Sequence, residues 1–266
     1  MAVMPECHSI HLLARQHRRD FVGHRVQASS PQGRFSDGAA LIDGRVLDAT
    51  DAWGKHLFHR YDDLWVHVHL GLFGKFREGP LPAPEPRGAL RLRLRTDERW
   101  LELRGPTACE VLTDPQRRLI LARLGPDPLR PDADPGAALA RIRRSRRTIG
   151  ELLMDQSVVA GIGNVYRAEI LFRHRLSPYL TGREVDEHAW TPLWADLVEL
   201  MRAGSRSGRI LTTEPDHRER PTGRVRRTDA HYVYRRAGLP CRVCGTPIET
   251  ATMSARNLFW CPTCQA

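Results

Sequence analysis

Gly125-Pro126-Asp127-Pro128, followed by Pro131-Asp132-Ala133-Asp134-Pro135-Gly136, is the stretch on which the fold turns. It is rich in turn-formers and reads as an interdomain linker over 126–136. On its N-terminal side, from about Val26 to Leu103, the pattern is strand-like. Val46 to Trp53, His56 to Tyr61 and Leu64 to Leu70 are short apolar-rich runs separated by turn residues. Leu90-Arg91-Leu92-Arg93-Leu94-Arg95 alternates with period two, which predicts a half-buried strand with its arginines on a solvated face. Pro80, Pro82, Pro84 and Pro86 mark an exposed loop. Ahead of these runs, Ile10, Leu13, Ala14, His17 and Phe21 recur at helical spacing and predict an amphipathic helix from near Ser9. On the C-terminal side the pattern turns helical. Thr148-Ile149-Gly150-Glu151 has the spacing of a capping box and predicts a helix through about Met154. Further helices are expected over Val165 to Phe172 and Pro192 to Met201. Ser205 to Arg227 is arginine-rich, poor in large apolar residues and expected to be mobile. The chain carries no internal repeat.

With 266 residues the chain can bury two separate cores. No apolar run is long enough for a secretory signal or a membrane span, which predicts a soluble, cytoplasmic protein with reduced thiols. The formal charge of +10 favours a polyanionic partner, nucleic acid by default, although a generally basic surface would give the same number. Of the 41 basic residues only Lys55 and Lys75 are lysine. Where arginine serves every plain cationic need, a surviving lysine suggests chemistry that requires losing a proton.

Cys241-Arg242-Val243-Cys244 and Cys261-Pro262-Thr263-Cys264 are two knuckles with sixteen residues between them. This spacing suits one tetrahedral zinc, fully ligated by protein and therefore structural. Arg256, between the knuckles, falls where a hairpin tip could present it to phosphate; it is also one arginine among many. The Gly161-Ile162-Gly163-Asn164 turn, opening a helix, is either an anion site or a plain glycine-rich connection. Gly54-Lys55-His56 sits at a strand connection. His69-Leu70-Gly71-Leu72-Phe73-Gly74 carries an apolar tip that could wedge into a base stack; on sequence alone a buried core reading of Leu72 and Phe73 is favoured.

Met4-Pro5-Glu6 stands near the start. A chain beginning at Met4 would lose that methionine, and Pro5 would carry a nucleophilic secondary amine with Glu6 beside it to move protons. In the chain as written, Pro5 is acylated by Met4 and its nitrogen is an amide. Cys7 is a rival nucleophile at the helix start, opposed by the neighbouring Glu6, and Cys109 reads as a small buried hydrophobe.

Taken in order, these pieces resemble the formamidopyrimidine-DNA glycosylase/endonuclease VIII family. The resemblance runs from Met4 to Gln265. It rests on Met4-Pro5-Glu6, Gly54-Lys55-His56-Leu57, Arg123-Leu124-Gly125-Pro126-Asp127, Met154-Asp155-Gln156, Gly163-Asn164-Val165-Tyr166, Glu169-Ile170-Leu171-Phe172 and the four-cysteine ribbon. It implies an α+β protein in four parts. Residues 1–125 would form a β-sandwich with an N-terminal helix, 126–136 the linker, 137–236 a helix–two-turn–helix domain and 237–266 a zinc finger. It implies one structural Zn2+, no organic cofactor, damaged DNA as partner, no membrane, a monomer and a nucleoid-associated location. Pro5 would attack C1′, Glu6 would assist base loss, and Lys55 would position phosphate and support elimination. Asn164 and Arg123 would hold phosphate near the lesion, Arg256 would assist strand cleavage, and Leu72 with Phe73 would fill the void left by the flipped base. The expected activity is base excision followed by β,δ-elimination. Cys-His-Ser after Glu6 points to the endonuclease VIII branch and oxidised pyrimidines. Cys7 departs from the glycine usual in that branch, and Met1-Ala2-Val3 is an extension. The rival reading is a zinc-dependent binder of damaged or abasic DNA that does not cut. A helix-turn-helix regulator is a third, which leaves Lys55 and the β-rich half unexplained.

Overall fold

The computed structural model describes residues 5–266, so the expected start at Met4 and the extension before it lie outside the described residues. The chain separates into two compact units, Met1–Arg123 and Leu124–Ala266.

The first unit opens with α1 (Cys7–Phe21), two residues ahead of the expected start at Ser9. The Glu6 carbonyl receives the Ser9 amide at 3.0 Å and the Ser9 hydroxyl at 2.8 Å, which extends the first turn back to Cys7. Ile10, Ala14, His17 and Phe21 are buried, as their spacing predicts.

Two four-stranded antiparallel sheets follow. One has the order β2 (Ala49–Trp53), β3 (His56–Tyr61), β4 (Leu64–His69), β8 (Ala108–Thr113); the other runs β1 (Gln27–Ser29), β6 (Leu90–Arg95), β7 (Arg99–Arg104), β5 (Lys75–Pro80). Leu57, Val66 and Val68 of the first sheet share one core with Leu92, Leu94, Leu101 and Leu103 of the second, together with Ile10 and Phe21 of α1. This is the expected β-sandwich with its N-terminal helix. Within the stretch read as strands lies a short helix not expected, α2 (Ser36–Ile42), which lays Ala39 and Ile42 into that core. After β8 comes another, α3 (Asp114–Leu121), opened by a Thr113–Gln116 capping box.

One expectation fails on the second sheet. Leu90, Leu92 and Leu94 are buried as alternation predicts, but Arg93 is only 8% exposed. Its register partner on β7 is Glu102, also buried, which binds both Arg93 and Arg104. The proline loop lies over this pair, with the Pro84 carbonyl accepting from Arg93. A charged side chain at a solvent-facing strand position is therefore covered and paired.

The second unit is helical: α4 (Pro135–Arg143), α5 (Ile149–Leu152), α6 (Asn164–Arg173) and α7 (Glu187–Ser207). The Thr148–Glu151 capping box forms as predicted, though its helix ends at Leu152 rather than near Met154. Helix α7 begins five residues before Pro192, because the side chain of Asp186, not the proline, caps it at 2.8 Å to the Ala189 amide. The stretch read as a linker is packed rather than free. Asp127 is fully buried, Gly125 donates to the Gln156 carbonyl at 2.8 Å, and Ala160 donates to the Pro126 carbonyl at 3.0 Å. Likewise, the stretch expected to be mobile is anchored at its beginning. Thr212 and Thr213 are buried and bonded to the carbonyls of Ala230 and Asp229. The chain closes with the hairpin of β9 (Glu249–Met253) and β10 (Arg256–Trp260). No helix among the described residues is long and apolar enough to cross a membrane.

Candidate nucleic-acid interface and metal centre

In the N-terminal unit, Pro5 is half-buried directly ahead of α1 and Glu6 is 1% exposed. Cys7 and His8 are buried beside it, so the cysteine at the departing position faces the interior. Burial lowers the His8 pKa to about 4, which leaves a neutral imidazole two residues from Glu6.

Lys55 occupies the turn between β2 and β3, where Gly54 has φ +57° and Trp53 pairs with His56. His69, at the end of β4, pairs with His56 across the sheet. The chain then turns through Gly71 at φ +63° and closes with Gly74 donating to the Leu70 carbonyl at 2.9 Å. A Cβ on Gly74 would stand 2.2 Å from that carbonyl oxygen, so the tight turn requires glycine there. Between the two glycines, Leu72 is 41% and Phe73 81% exposed, against the buried reading favoured from sequence. An aromatic ring exposed at the tip of a tight turn has the form an intercalating wedge needs. Arg123, at the end of this unit, is exposed.

Sequence reasoning missed the face that Lys55 adjoins. On the outer side of the first sheet, Phe58, Trp65 and Leu112 pack against Ile120 and Leu121 of α3. The Arg117 guanidinium lies 4.2 Å from the Trp65 ring centre and is bonded to Asp51. Beside this apolar cluster stand His56, His67, His69 and Glu110. Alternation along β3 and β4 gives the signal for them, since His56 and Phe58 share one face and His67 and His69 another register of the same face.

In the C-terminal unit, the Gly161–Asn164 turn is organised by Gln156. Its amide nitrogen donates to the carbonyls of Met154 at 3.0 Å and Ile162 at 3.1 Å, and its oxygen accepts from the Gly161 amide at 2.9 Å. Asn164 begins α6 but is only 5% exposed. Its amide nitrogen donates to the Asn257 carbonyl at 2.9 Å, and its oxygen accepts from Arg167. Arg167, fully buried one turn further along α6, also donates to Asn257 at 3.1 Å. Thus Asn164 is turned toward β10 rather than outward, and the structure brings it to the hairpin that carries exposed Arg256. Ser254 and Ala255 make the two-residue hairpin turn, both at positive φ, and Arg256 follows at the start of β10. Arg167 was not singled out from the sequence; its i, i+3 spacing from Asn164 was the available clue.

The four cysteine sulfurs of Cys241, Cys244, Cys261 and Cys264 lie within 4.8 Å of one another. Cys241 and Cys264 Sγ are 3.9 Å apart, and Cys244 and Cys261 Sγ 3.4 Å. Tetrahedral zinc with Zn–S bonds of about 2.3 Å requires sulfurs about 3.8 Å apart, so the set fits that ion. With every position filled by thiolate, the zinc is structural.

Three family models match successive parts of the chain. They are the formamidopyrimidine-DNA glycosylase N-terminal domain over residues 4–117, the formamidopyrimidine-DNA glycosylase H2TH domain over 124–215 and a zinc finger found in FPG and IleRS over 238–266. An Endonuclease 8 1 of Mycobacterium tuberculosis is 52% identical over 267 residues, covering 98% of this chain and 100% of that protein. The chain belongs to the formamidopyrimidine-DNA glycosylase/endonuclease VIII family. Within the family it is less similar to a formamidopyrimidine-DNA glycosylase of Thermus thermophilus, at 33% identity over 274 residues and 98% of each chain. That contrast fits the endonuclease VIII-like branch. The crystal structure of MutM (Fpg) from Thermus thermophilus superposes with a TM-score of 0.80 at 30% identity, covering 98% of each chain.

Proposed function

We propose that this protein is a bifunctional DNA glycosylase and abasic-site lyase of base excision repair, with oxidised pyrimidines as the favoured bases. The observation that carries the reading is the placement of Pro5 and buried Glu6 directly before α1, in a chain 52% identical along its length to an Endonuclease 8 1. With its amine free, Pro5 attacks C1′ of the flipped nucleotide. The base leaves carrying a proton, the C1′–O4′ bond opens as O4′ takes a proton, and an iminium joins Pro5 to C1′ of the opened sugar. Removal of a C2′ proton then breaks the C3′–O bond, and a second elimination breaks C5′–O, leaving a one-nucleotide gap. Glu6 moves the protons of base loss and ring opening. Lys55 positions phosphate and supports elimination, while Arg123 and Asn164 hold the backbone. Arg256 holds phosphate at the cleavage step, and Leu72 and Phe73 occupy the space of the extruded nucleotide. In this reading residues 1–125 carry the chemistry, while 137–236 and 237–266, beyond the 126–136 segment, supply the grip. The protein acts as a monomer in the cytoplasm, associated with the nucleoid.

A second reading is favoured by one observation: Met4 precedes Pro5 in the chain as written. If those residues stay attached, the protein binds damaged DNA through zinc-ordered elements and does not cut. Intact-mass determination followed by borohydride trapping on abasic-site DNA separates the two. A covalent adduct from protein beginning at Pro5 is expected. No adduct from such protein would reject the lyase.

A further inference from the structure

On the outer face of the β2-β3-β4-β8 sheet, three side chains form a hydrogen-bonded file. Glu110 Oε1 lies 2.8 Å from His67 Nδ1, and His67 Nε2 lies 2.8 Å from His56 Nδ1. Strand register produces this, because Glu110 on β8 is paired with His67 on β4. The His56 and His67 rings stack with centres 5.0 Å apart, and Phe58 stacks on His67 at 5.1 Å, so the imidazoles are held in plane.

The direction of the file follows from donor and acceptor chemistry. An ionised carboxylate only accepts. His67 therefore donates from Nδ1, and its Nε2 must accept. His56 then donates from Nδ1, which leaves its own Nε2 as a lone pair. Burial first, then His67, His69, Arg123 and Lys55 in that order, lower the His56 pKa to about 3, so the ring is neutral at physiological pH. His67 and His69 are lowered too, by burial first. Of the other charged groups near this face, Arg117 of α3 is bonded to Asp51 of β2, and Asp114 of α3 accepts from the Trp65 indole at 2.6 Å. The file thus ends in a neutral acceptor next in sequence to Lys55 and under the influence of two cations.

We propose that His56 is a positioning residue for Lys55: its Nε2 lone pair, fixed in place by His67 and Glu110, receives the Lys55 ammonium and orients it toward DNA phosphate. This rests on the role of Lys55 given above. The chemistry explains why an imidazole stands here and a carboxylate does not. A carboxylate next to Lys55 would cancel its charge and repel phosphate. A neutral imidazole orients the ammonium and leaves its charge for the DNA. Glu110 sets the tautomers from the far end of the file, where its side chain is 51% exposed to water.

The chain's two lysines make the test direct. Protein labelled at lysine Cε gives two signals, Lys55 in its turn and Lys75 on β5 as reference. In Glu110→Ala and His67→Ala, loss of the fixed acceptor should weaken proton retention by Lys55 roughly 10-fold relative to the parent protein, while Glu110→Gln, whose amide oxygen still accepts, should retain most of the effect. Imidazole nitrogen shifts should show His56 as the neutral Nδ1–H tautomer in the parent and a mixture in Glu110→Ala. Strand cleavage by Glu110→Ala should fall about 10-fold in the parent background and not at all further in Lys55→Ala. If the Lys55 signal titrates alike in the parent and both alanine variants, or if the loss of cleavage is the same with and without Lys55, the proposal is overturned. If the lysine effect is present but protein beginning at Pro5 cleaves nothing, the positioning stands and the lyase reading fails.

Discussion

Glu169 shows how one side chain can organise a segment far from it in sequence. It is fully buried in α6. One carboxylate oxygen accepts from the Val233 amide at 2.9 Å and the Tyr234 amide at 2.7 Å; the other accepts from the Tyr232 amide at 2.7 Å and from the Thr212 hydroxyl. Three backbone amides that no strand satisfies are thereby paired. Glu169→Gln would set an NH2 donor against at least one of those amides. It should cost about 3 kcal/mol, read as a lowered urea midpoint with an unchanged slope. Glu169 was visible in the sequence only as part of a motif. Its partners lie more than forty residues away, and no local pattern pairs residues at that separation.

At the scale of elements, the hairpin that carries Arg256 has a removable strain. Ala255 adopts φ +56°, a region that suits glycine and disfavours residues with a Cβ. Ala255→Gly should therefore stabilise the hairpin by about 1 kcal/mol, seen as a raised melting temperature in the zinc-bound protein. Elements with a clean local signal were legible from the start: His56–Tyr61 lies where a short apolar-rich run between turn residues places it, Leu90–Arg95 where alternation places it, and the Thr148 capping box forms. Helix α2 was not, because seven residues carry too little periodicity to stand out among strands. The burial of Arg93 was hidden for another reason. Its cover is a proline loop and its partner a neighbouring strand, and both are tertiary facts. Among the expected site residues, the four cysteines were legible from their spacing, and the sulfurs do converge. The inward turn of Asn164 was not, because it depends on a carbonyl in β10.

For the whole molecule, charge and burial make two further predictions. The net charge of +10 implies that DNA binding releases counterions, so log affinity should fall linearly with log salt and lose a factor of about 1,000 or more between 50 and 200 mM if six or more phosphates are neutralised. A flat salt response would contradict a phosphate-based grip. The sandwich core also holds a pair of histidines, His17 Nδ1 and His59 Nε2, 2.9 Å apart and both buried. Burial first, then His59, keeps His17 well below its usual pKa, and burial lowers His59 to about 4. Both are neutral in the fold and bind protons in the unfolded chain below about pH 6.5. The unfolded state gains protons as pH falls, so stability should be full above about pH 6.5 and drop from there toward pH 4. Each histidine contributes up to about 1.4 kcal/mol per pH unit. His59→Gln should flatten the melting-temperature profile across that window; an unchanged slope would mean that the pair does not stay neutral.

The carbonyl of Asn257, held by Asn164 and Arg167, lies four residues before the zinc ligand Cys261 on the same strand and its continuation. Of the four ligands, Cys244 is the exposed one. An oxidant that captures Cys244 expels the metal, and ribbon folding is coupled to that metal. The carbonyl then loses its fixed position, and the helix start at Asn164 loses its anchor, while Pro5 and Glu6 are chemically untouched. A protein built this way would carry a fuse: an oxidant at Cys244 would loosen its hold on DNA while leaving the side chains of Pro5 and Glu6 unchanged.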